Sequence, residues 1–244
     1  MLDIYTNPEL YDAIHNGINS DNKMITHYAK KCNGPVLELA AGTGRLAKYI
    51  IDLELPYTGI DTSKEFINKA KSRFGDHGKF KIDNMQNFVH KNSYNFIFIG
   101  FNSFLHNLTD DEANNCLTSI NKHLTNDGIF FLSSFIPDPI FLYQGDDLHP
   151  ATPFFSYKTK RCRIMEKNTY QEESQINHIT WTLEVDGILS TEIYSFKQRM
   201  IYPHMMDIML NENEFVIKEK FGDWDHSPLD EFSPLQIYIC KKTE

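Results

Sequence analysis

Between Val36 and Ser134 the chain alternates short apolar runs with stretches of helical period, and this alternation constrains the fold more than any other feature. The runs are Val36-Leu37-Glu38-Leu39-Ala40, Tyr57-Thr58-Gly59-Ile60, Phe80-Lys81-Ile82, Phe96-Ile97-Phe98-Ile99 and Ile129-Phe130-Phe131-Leu132. The last two are apolar at every position, as strands covered on both faces require. Between the runs, Leu46, Tyr49, Ile50 and Leu53 fall on one helix face. Phe66, Ile67, Ala70 and Phe74 fall on a second, and Ala113, Cys116, Leu117, Ile120 and Leu124 on a third. Thr62 or Ser63 supplies an N-cap, and Thr109 pairs with Glu112 as a capping box. Strand and helix alternating at this length give an α/β fold whose parallel sheet is wound with helices on both faces.

The flanking segments read differently. Residues 1–35 hold cap helices, one of them running from Asp21 to Cys32 and stopped by Asn33-Gly34-Pro35, with the glycine as the terminating signal. After residues 36–136, the β/α core, Pro137, Pro139, Pro150 and Pro153 punctuate a loop. Strand-like stretches then cover Tyr157 to Glu166, Ser174 to Val185 and Leu189 to Met200, the last two joined by the turn signal Asp186-Gly187. Residues 137–202 are therefore expected to form a small antiparallel insertion. Residues 203–244 supply a helix, His204 to Leu210, and two closing strands, Phe215 to Phe221 and Gln236 to Cys240. The loop between them, Gly222 to Leu235, has the length of a functional or mobile loop.

Composition narrows the partners. Lys+Arg is 24 against 33 Asp+Glu, a net charge of −9, which disfavours a nucleic acid partner. No apolar run reaches the ~20 residues of a membrane span. The start, Met1-Leu2-Asp3-Ile4-Tyr5, lacks a basic stretch followed by an apolar core. The four cysteines, Cys32, Cys116, Cys162 and Cys240, form no C-x-x-C pair. They read as reduced core residues and no metal site is expected. A cytoplasmic monomer or homodimer without membrane contact is the expectation.

Glu38-Leu39-Ala40-Ala41-Gly42-Thr43-Gly44-Arg45 follows the first strand and opens a helix. Its glycines allow close backbone approach, and a helix start favours negative charge. Asp61 ends the second strand, where a carboxylate accepts both ribose hydroxyls of a nucleoside. Asp83, followed by Asn84 and Met85, ends the third. There a carboxylate suits an adenine amine and a thioether packs on the ring. The acid Glu38 inside the first strand and Ala47 at the third dinucleotide glycine position weigh against an NAD fold, as does the lack of a Tyr-x-x-x-Lys pair.

With these motifs in order, the chain resembles the class I S-adenosylmethionine-dependent methyltransferases. The matching segments are residues 36–44, 59–63, 82–85, 98–106 and 124–132, together with the terminal strand pair. The resemblance implies a Rossmann-like seven-stranded sheet, mostly parallel with a C-terminal antiparallel hairpin. The insertion looks like the lid of small-molecule methyltransferases. It also implies S-adenosylmethionine as cofactor, held by Tyr11, Glu38, Ala40, Gly42, Thr43, Gly44, Arg45, Asp61, Thr62, Asp83, Asn84, Met85, Phe101 and Asn102. The reaction implied is methyl transfer to an amine or hydroxyl of a small-molecule acceptor. Ala40 departs from the family's usual glycine, and alanine is expected to fit the strand-end geometry. The absence of an Asn-Pro-Pro-Tyr or Asp-Pro-Pro-Tyr after the fourth strand argues against nucleic acid bases as acceptor. His106, at the mouth of that strand, is the candidate base, and Tyr11 the residue covering the methyl donor. A lone histidine or tyrosine is otherwise an ordinary packing residue, and Phe88 reads as core. Arg163, His178 and Arg199 on the insertion could clamp an anionic group, although solvated lid charges are the default. The expected acceptor pocket is bounded by Tyr11, Phe101, His106 and one face of the insertion. Alternatives are an NAD-dependent oxidoreductase and a protein that binds S-adenosylmethionine without turnover.

Overall fold

The computed structural model describes residues 1–145 and 147–243. A single 3-10 turn, Ile4–Thr6, precedes α1 (Pro8–His15) and α2 (Asn22–Cys32). The core then runs β1 (Val36–Leu39), α3 (Ala47–Ile51), β2 (Tyr57–Asp61), α4 (Lys64–Phe74), β3 (Lys79–Ile82), β4 (Tyr94–Ile99), α5 (Asp110–His123) and β5 (Leu124–Phe135). The insertion holds α6 (Pro139–Leu142), β6 (His149–Pro150), β7 (Phe155–Tyr157), β8 (Lys160–Gln171), β9 (Ile176–Val185) and β10 (Ile188–Arg199). The chain closes with α7 (Pro203–Glu212), β11 (Phe215–Phe221) and β12 (Leu235–Lys242).

Seven strands form one sheet in the order β11-β12-β5-β4-β1-β2-β3, in which β12 alone runs against its neighbours. From β1 the chain winds outward through β2 and β3. It then returns to β4 on the other side of β1 and continues to β5. Ligands in open α/β sheets lie beyond the strand ends at such a reversal. Phe96, Ile97, Phe98 and Ile99 of β4 are all fully buried, each contributing roughly 1.5–3 kcal/mol by leaving water. Their alternate side chains feed two apolar layers. One holds Ile97, Ile99 and α5; the other holds Phe96, Phe98 and α2.

Local signals explain most element ends. Ser63 caps α4 by accepting from the Phe66 amide, and the Thr109–Glu112 box closes the start of α5. At the end of α2 the left-handed cap residue is Asn33 (φ 45°), not the expected glycine. Gly34 is needed instead for space, because a Cβ there would lie 2.4 Å from the Asn95 side chain. The segment Asn126-Asp127-Gly128 is no separate turn. β5 already begins at Leu124 and takes the irregularity as a register shift against β4. The helix after β1 is shorter than its apolar pattern, with Leu46 and Leu53 outside it.

The insertion is a second, antiparallel sheet in the order β10-β9-β8-β6, with β7 paired on β8. Its first long strand extends to Gln171, past the expected end at Glu166, because β8 stays paired with β9 down to Gln171 and Ile176. Asp186 and Gly187, both at positive φ, make the tight turn between β9 and β10. The N-terminus straps this sheet to the core. Leu2 exchanges backbone hydrogen bonds with Ile193 and Ser195 of β10, while the Ser63 hydroxyl donates to the Tyr5 carbonyl at 2.6 Å. Among the described residues no helix is long and apolar enough to cross a membrane.

Candidate active site

The strand-end turns at the sheet reversal are built under backbone constraint. Gly42 and Gly44 sit at φ 58° and 81°, conformations that cost an L side chain roughly 1–2 kcal/mol. Ala40 adopts φ 55°, so where alanine is expected to fit the strand end it does so with strain that a glycine would avoid. Phe101 and Asn102 are also left-handed, at φ 54° and 65°. Asn102 holds its place by accepting the Phe135 amide at 2.8 Å. Left-handed backbone at Ala40, Gly42, Phe101 and Asn102 therefore clusters around one opening.

That opening is a cavity of about 460 Å³. Its core wall contains Ala40, Gly42, Asp61, Thr62, Asp83, Asn84, Met85, Phe101 and Asn102. Tyr5 and Tyr11 close it from the N-terminal segment. His106 and Phe135 border it below the insertion, whose inner face contributes Glu166, Ile179, Trp181, Phe196 and Gln198. Tyr11, Phe101 and His106 thus share one pocket with the lid sheet.

Asp61 accepts the Gly42 amide at 2.8 Å and the Ser63 amide at 2.8 Å. Burial raises its pKa, and these backbone hydrogen bonds pull it back down. Each oxygen keeps a lone pair for a ligand. Asp83 accepts the Asn84 amide at 2.9 Å and lies 3.4 Å from His90 Nε2. Met85 borders both cavity and core, while Phe88 is core alone.

Four of the sequence-derived cofactor residues lie off this cavity. Glu38, Thr43 and Arg45 border a separate small cavity of about 40 Å³ beside Tyr11, and Gly44 borders neither. Thr43 donates its hydroxyl to Asp12. Arg45 grips Asp21 with both terminal nitrogens and stacks its guanidinium 5.1 Å from the Phe101 ring centre. Glu38 accepts the Tyr57 hydroxyl at 2.5 Å. Burial pushes the Glu38 carboxyl up to about 8, only partly opposed by Tyr57 and Arg45. Its ordinary value is 4.5, so between these values the folded chain holds a proton that the unfolded chain has lost. Stability must fall as pH rises through that window. Glu38→Gln is expected to flatten this decline, and urea unfolding between pH 5 and 9 measures it; parallel curves for both proteins would contradict a neutral Glu38.

Two histidines border the cavity. His15 stacks on Tyr11 and donates from Nδ1 to its carbonyl at 2.8 Å, and burial lowers its pKa to about 4. His106 lies with Nε2 2.9 Å from the Tyr5 hydroxyl, and burial lowers its pKa too, so both rings are neutral near pH 7. Tyr5 escaped the sequence reading because nothing in residues 1–7 marks a site before the strap folds. Glu166, Trp181 and Phe196 escaped it too, although strand alternation carries a signal: Trp181 and Ile179 share one face of β9. Arg163, His178 and Arg199 occupy the other face. Arg163 pairs with Glu184 and Arg199 with Asp110, and none of the three borders the cavity.

Comparison with known proteins agrees with this geometry. Residues 37–130 match the family described as Methyltransferase domain. The CcbJ methyltransferase from Streptomyces caelestis is similar in structure, with a TM-score of 0.82, 17% identity and 98% of each chain covered. An S-adenosylmethionine-dependent methyltransferase from Clostridium acetobutylicum gives 0.80 at 15% identity, covering 96% of this chain and 97% of that one. CalS10, an amino pentose methyltransferase from Micromonospora echinaspora solved with S-adenosylmethionine bound, gives 0.71 at 12% identity, covering 100% and 98%. A search of curated proteins returned no match. Residues 37–130 are thus similar to a methyltransferase domain, and the fold of the chain is that of the class I S-adenosylmethionine-dependent methyltransferases.

Proposed function

We propose that this protein transfers a methyl group from S-adenosylmethionine to an amine or hydroxyl of a small molecule enclosed beneath the inserted sheet. One observation carries the reading. A single cavity runs from the Gly42 turn, Asp61 and Asp83 to the inner face of the lid, with Tyr5 and Tyr11 across it. A cavity of that size suits a cofactor and a metabolite, not a polymer. By their descriptions CalS10 is an amino pentose methyltransferase and KedS8, similar in fold, a sugar N-methyltransferase.

The donor set fits S-adenosylmethionine. Two carboxylates end consecutive strands, one for ribose hydroxyls and one for an adenine amine. At Gly42 a Cβ would meet nothing closer than 3.6 Å, which leaves the turn open to a ligand. When bound, the cofactor supplies an electrophilic methyl on a positively charged sulfur leaving group. The chain's own task is alignment and exclusion of water. Asp61 and Asp83 orient the nucleoside, and Met85 packs on its ring. Tyr11 and Phe101 flank the route to the lid, and neutral His106 holds the Tyr5 hydroxyl at Nε2.

A thermal shift experiment tests the reading. S-adenosylhomocysteine should raise Tm, because a ligand that binds only the folded chain stabilises it by about 2.7 kcal/mol at 100 times its Kd. NAD and NADP should leave Tm unchanged. A rise with NAD alone would replace methyl transfer by dinucleotide chemistry.

A further inference from the structure

The cavity holds a third carboxylate that methyl-donor binding leaves unassigned. Glu166 sits on the lid wall, opposite Asp61 and Asp83, and is 6% exposed. Sheet register puts it directly between Trp181 on β9 and His149 on β6. The Trp181 indole donates to Oε2 at 2.6 Å. His149 Nε2 lies 3.6 Å from Oε1, too far for a hydrogen bond, and faces the Gln144 amide nitrogen at 2.7 Å. His149 is thus an ion-pair neighbour of Glu166, but it does not itself border the cavity. Among the described residues no lysine or arginine borders the cavity. A buried carboxylate with lone pairs to spare and no cation on its cavity side is costly. Burial raises its pKa, opposed in part by the Trp181 hydrogen bond and by His149. Around it the cavity is aromatic, with Trp181 and Phe196 edge to face at 4.9 Å. Ring faces and a carboxylate together attract a compact organic cation.

We propose that Glu166 determines acceptor specificity and that the acceptor is an amine, which binds in its protonated form against the Trp181 and Phe196 rings and passes that proton to the Glu166 carboxylate, so that the freed nitrogen lone pair forms the N–CH3 bond as the S–CH3 bond breaks and S-adenosylhomocysteine leaves. The proposal rests on the methyl-transfer reading above. A hydroxyl acceptor would bring no charge and leave the cavity side of the Glu166 carboxylate without a counterion. The two neutral histidines bordering the cavity add no positive charge that would repel an ammonium group.

The test uses the full chain carrying Trp224→Phe, which leaves Trp181 as its one tryptophan. S-adenosylhomocysteine binding is measured first by calorimetry. Cyclohexylamine and cyclohexanol are then titrated onto the saturated complex and followed by Trp181 fluorescence. Cyclohexylamine should bind at least tenfold more tightly than cyclohexanol. Glu166→Gln should erase that preference while leaving S-adenosylhomocysteine affinity within twofold, and Glu166→Asp should keep it. Cyclohexylamine binding no tighter than cyclohexanol overturns the proposal, as does a preference that survives in Glu166→Gln. If the Glu166 variants fail to fold, the amine-to-alcohol comparison on the unsubstituted residue decides alone. Failure of S-adenosylhomocysteine to bind at all instead removes the methyl-transfer reading, and the amine assignment with it.

Discussion

Asp61→Ala should weaken S-adenosylmethionine binding by at least tenfold. The carboxylate lies at the end of β2 with both oxygens anchored, one on the Gly42 amide and one on the Ser63 amide. Anchoring fixes the remaining lone pairs toward the cavity. Each charge-assisted hydrogen bond to a ribose hydroxyl is worth roughly 1.5–3 kcal/mol, and about 1.4 kcal/mol is a factor of ten in Kd. The substitution also strips the Gly42 turn of its acceptor, so the strained segment Ala40–Gly44 loses its brace. Calorimetry on the variant measures the effect. An unchanged affinity would remove Asp61 from the cofactor site, whatever the fold.

The second large effect is on stability. Arg45→Ala should cost about 3–5 kcal/mol, the usual penalty for leaving a buried carboxylate without its partner. Asp21 is 1% exposed and receives both terminal nitrogens of Arg45, one of which also donates to the Ile18 carbonyl. This pair fastens the start of α2 to the turn after β1. Urea unfolding reports the loss. A change below about 1 kcal/mol would show that water reaches Asp21 once the guanidinium is gone. The two predictions separate two sequence-derived cofactor residues from consecutive strand ends: Asp61 faces the ligand cavity, whereas Arg45 is spent on an internal clamp.

That separation marks the boundary of what sequence can say. The order of strands and helices from Val36 to Ser134 was legible because hydrophobic period is local, whereas the proline-punctuated loop after it hid α6, β6 and β7. Every core strand shows it, and so do the caps at Ser63 and Thr109. The acids at two strand ends, Asp61 and Asp83, were legible because a strand end beside a sheet reversal is a position in topology, which the chain order already encodes. The hairpin at Asp186-Gly187 was legible for the same local reason.

Other features were decided by contacts between distant segments. Arg45 could serve a ligand or a clamp, and only the approach of Asp21 settles its partner. Tyr5 has no local mark, yet the pairing of Leu2 with β10 carries it across the cavity to His106. On the insertion, charge marks Arg163, His178 and Arg199, but the register of β8, β9 and β10 turns those three away from the cavity. The same register turns Glu166, Trp181 and Phe196 inward, since alternate residues of a strand face opposite ways. A sequence fixes which residues share a face of each strand. Which face meets the core depends on how the lid docks, and that depends on apolar packing between the N-terminal strap, α1 and the inserted sheet.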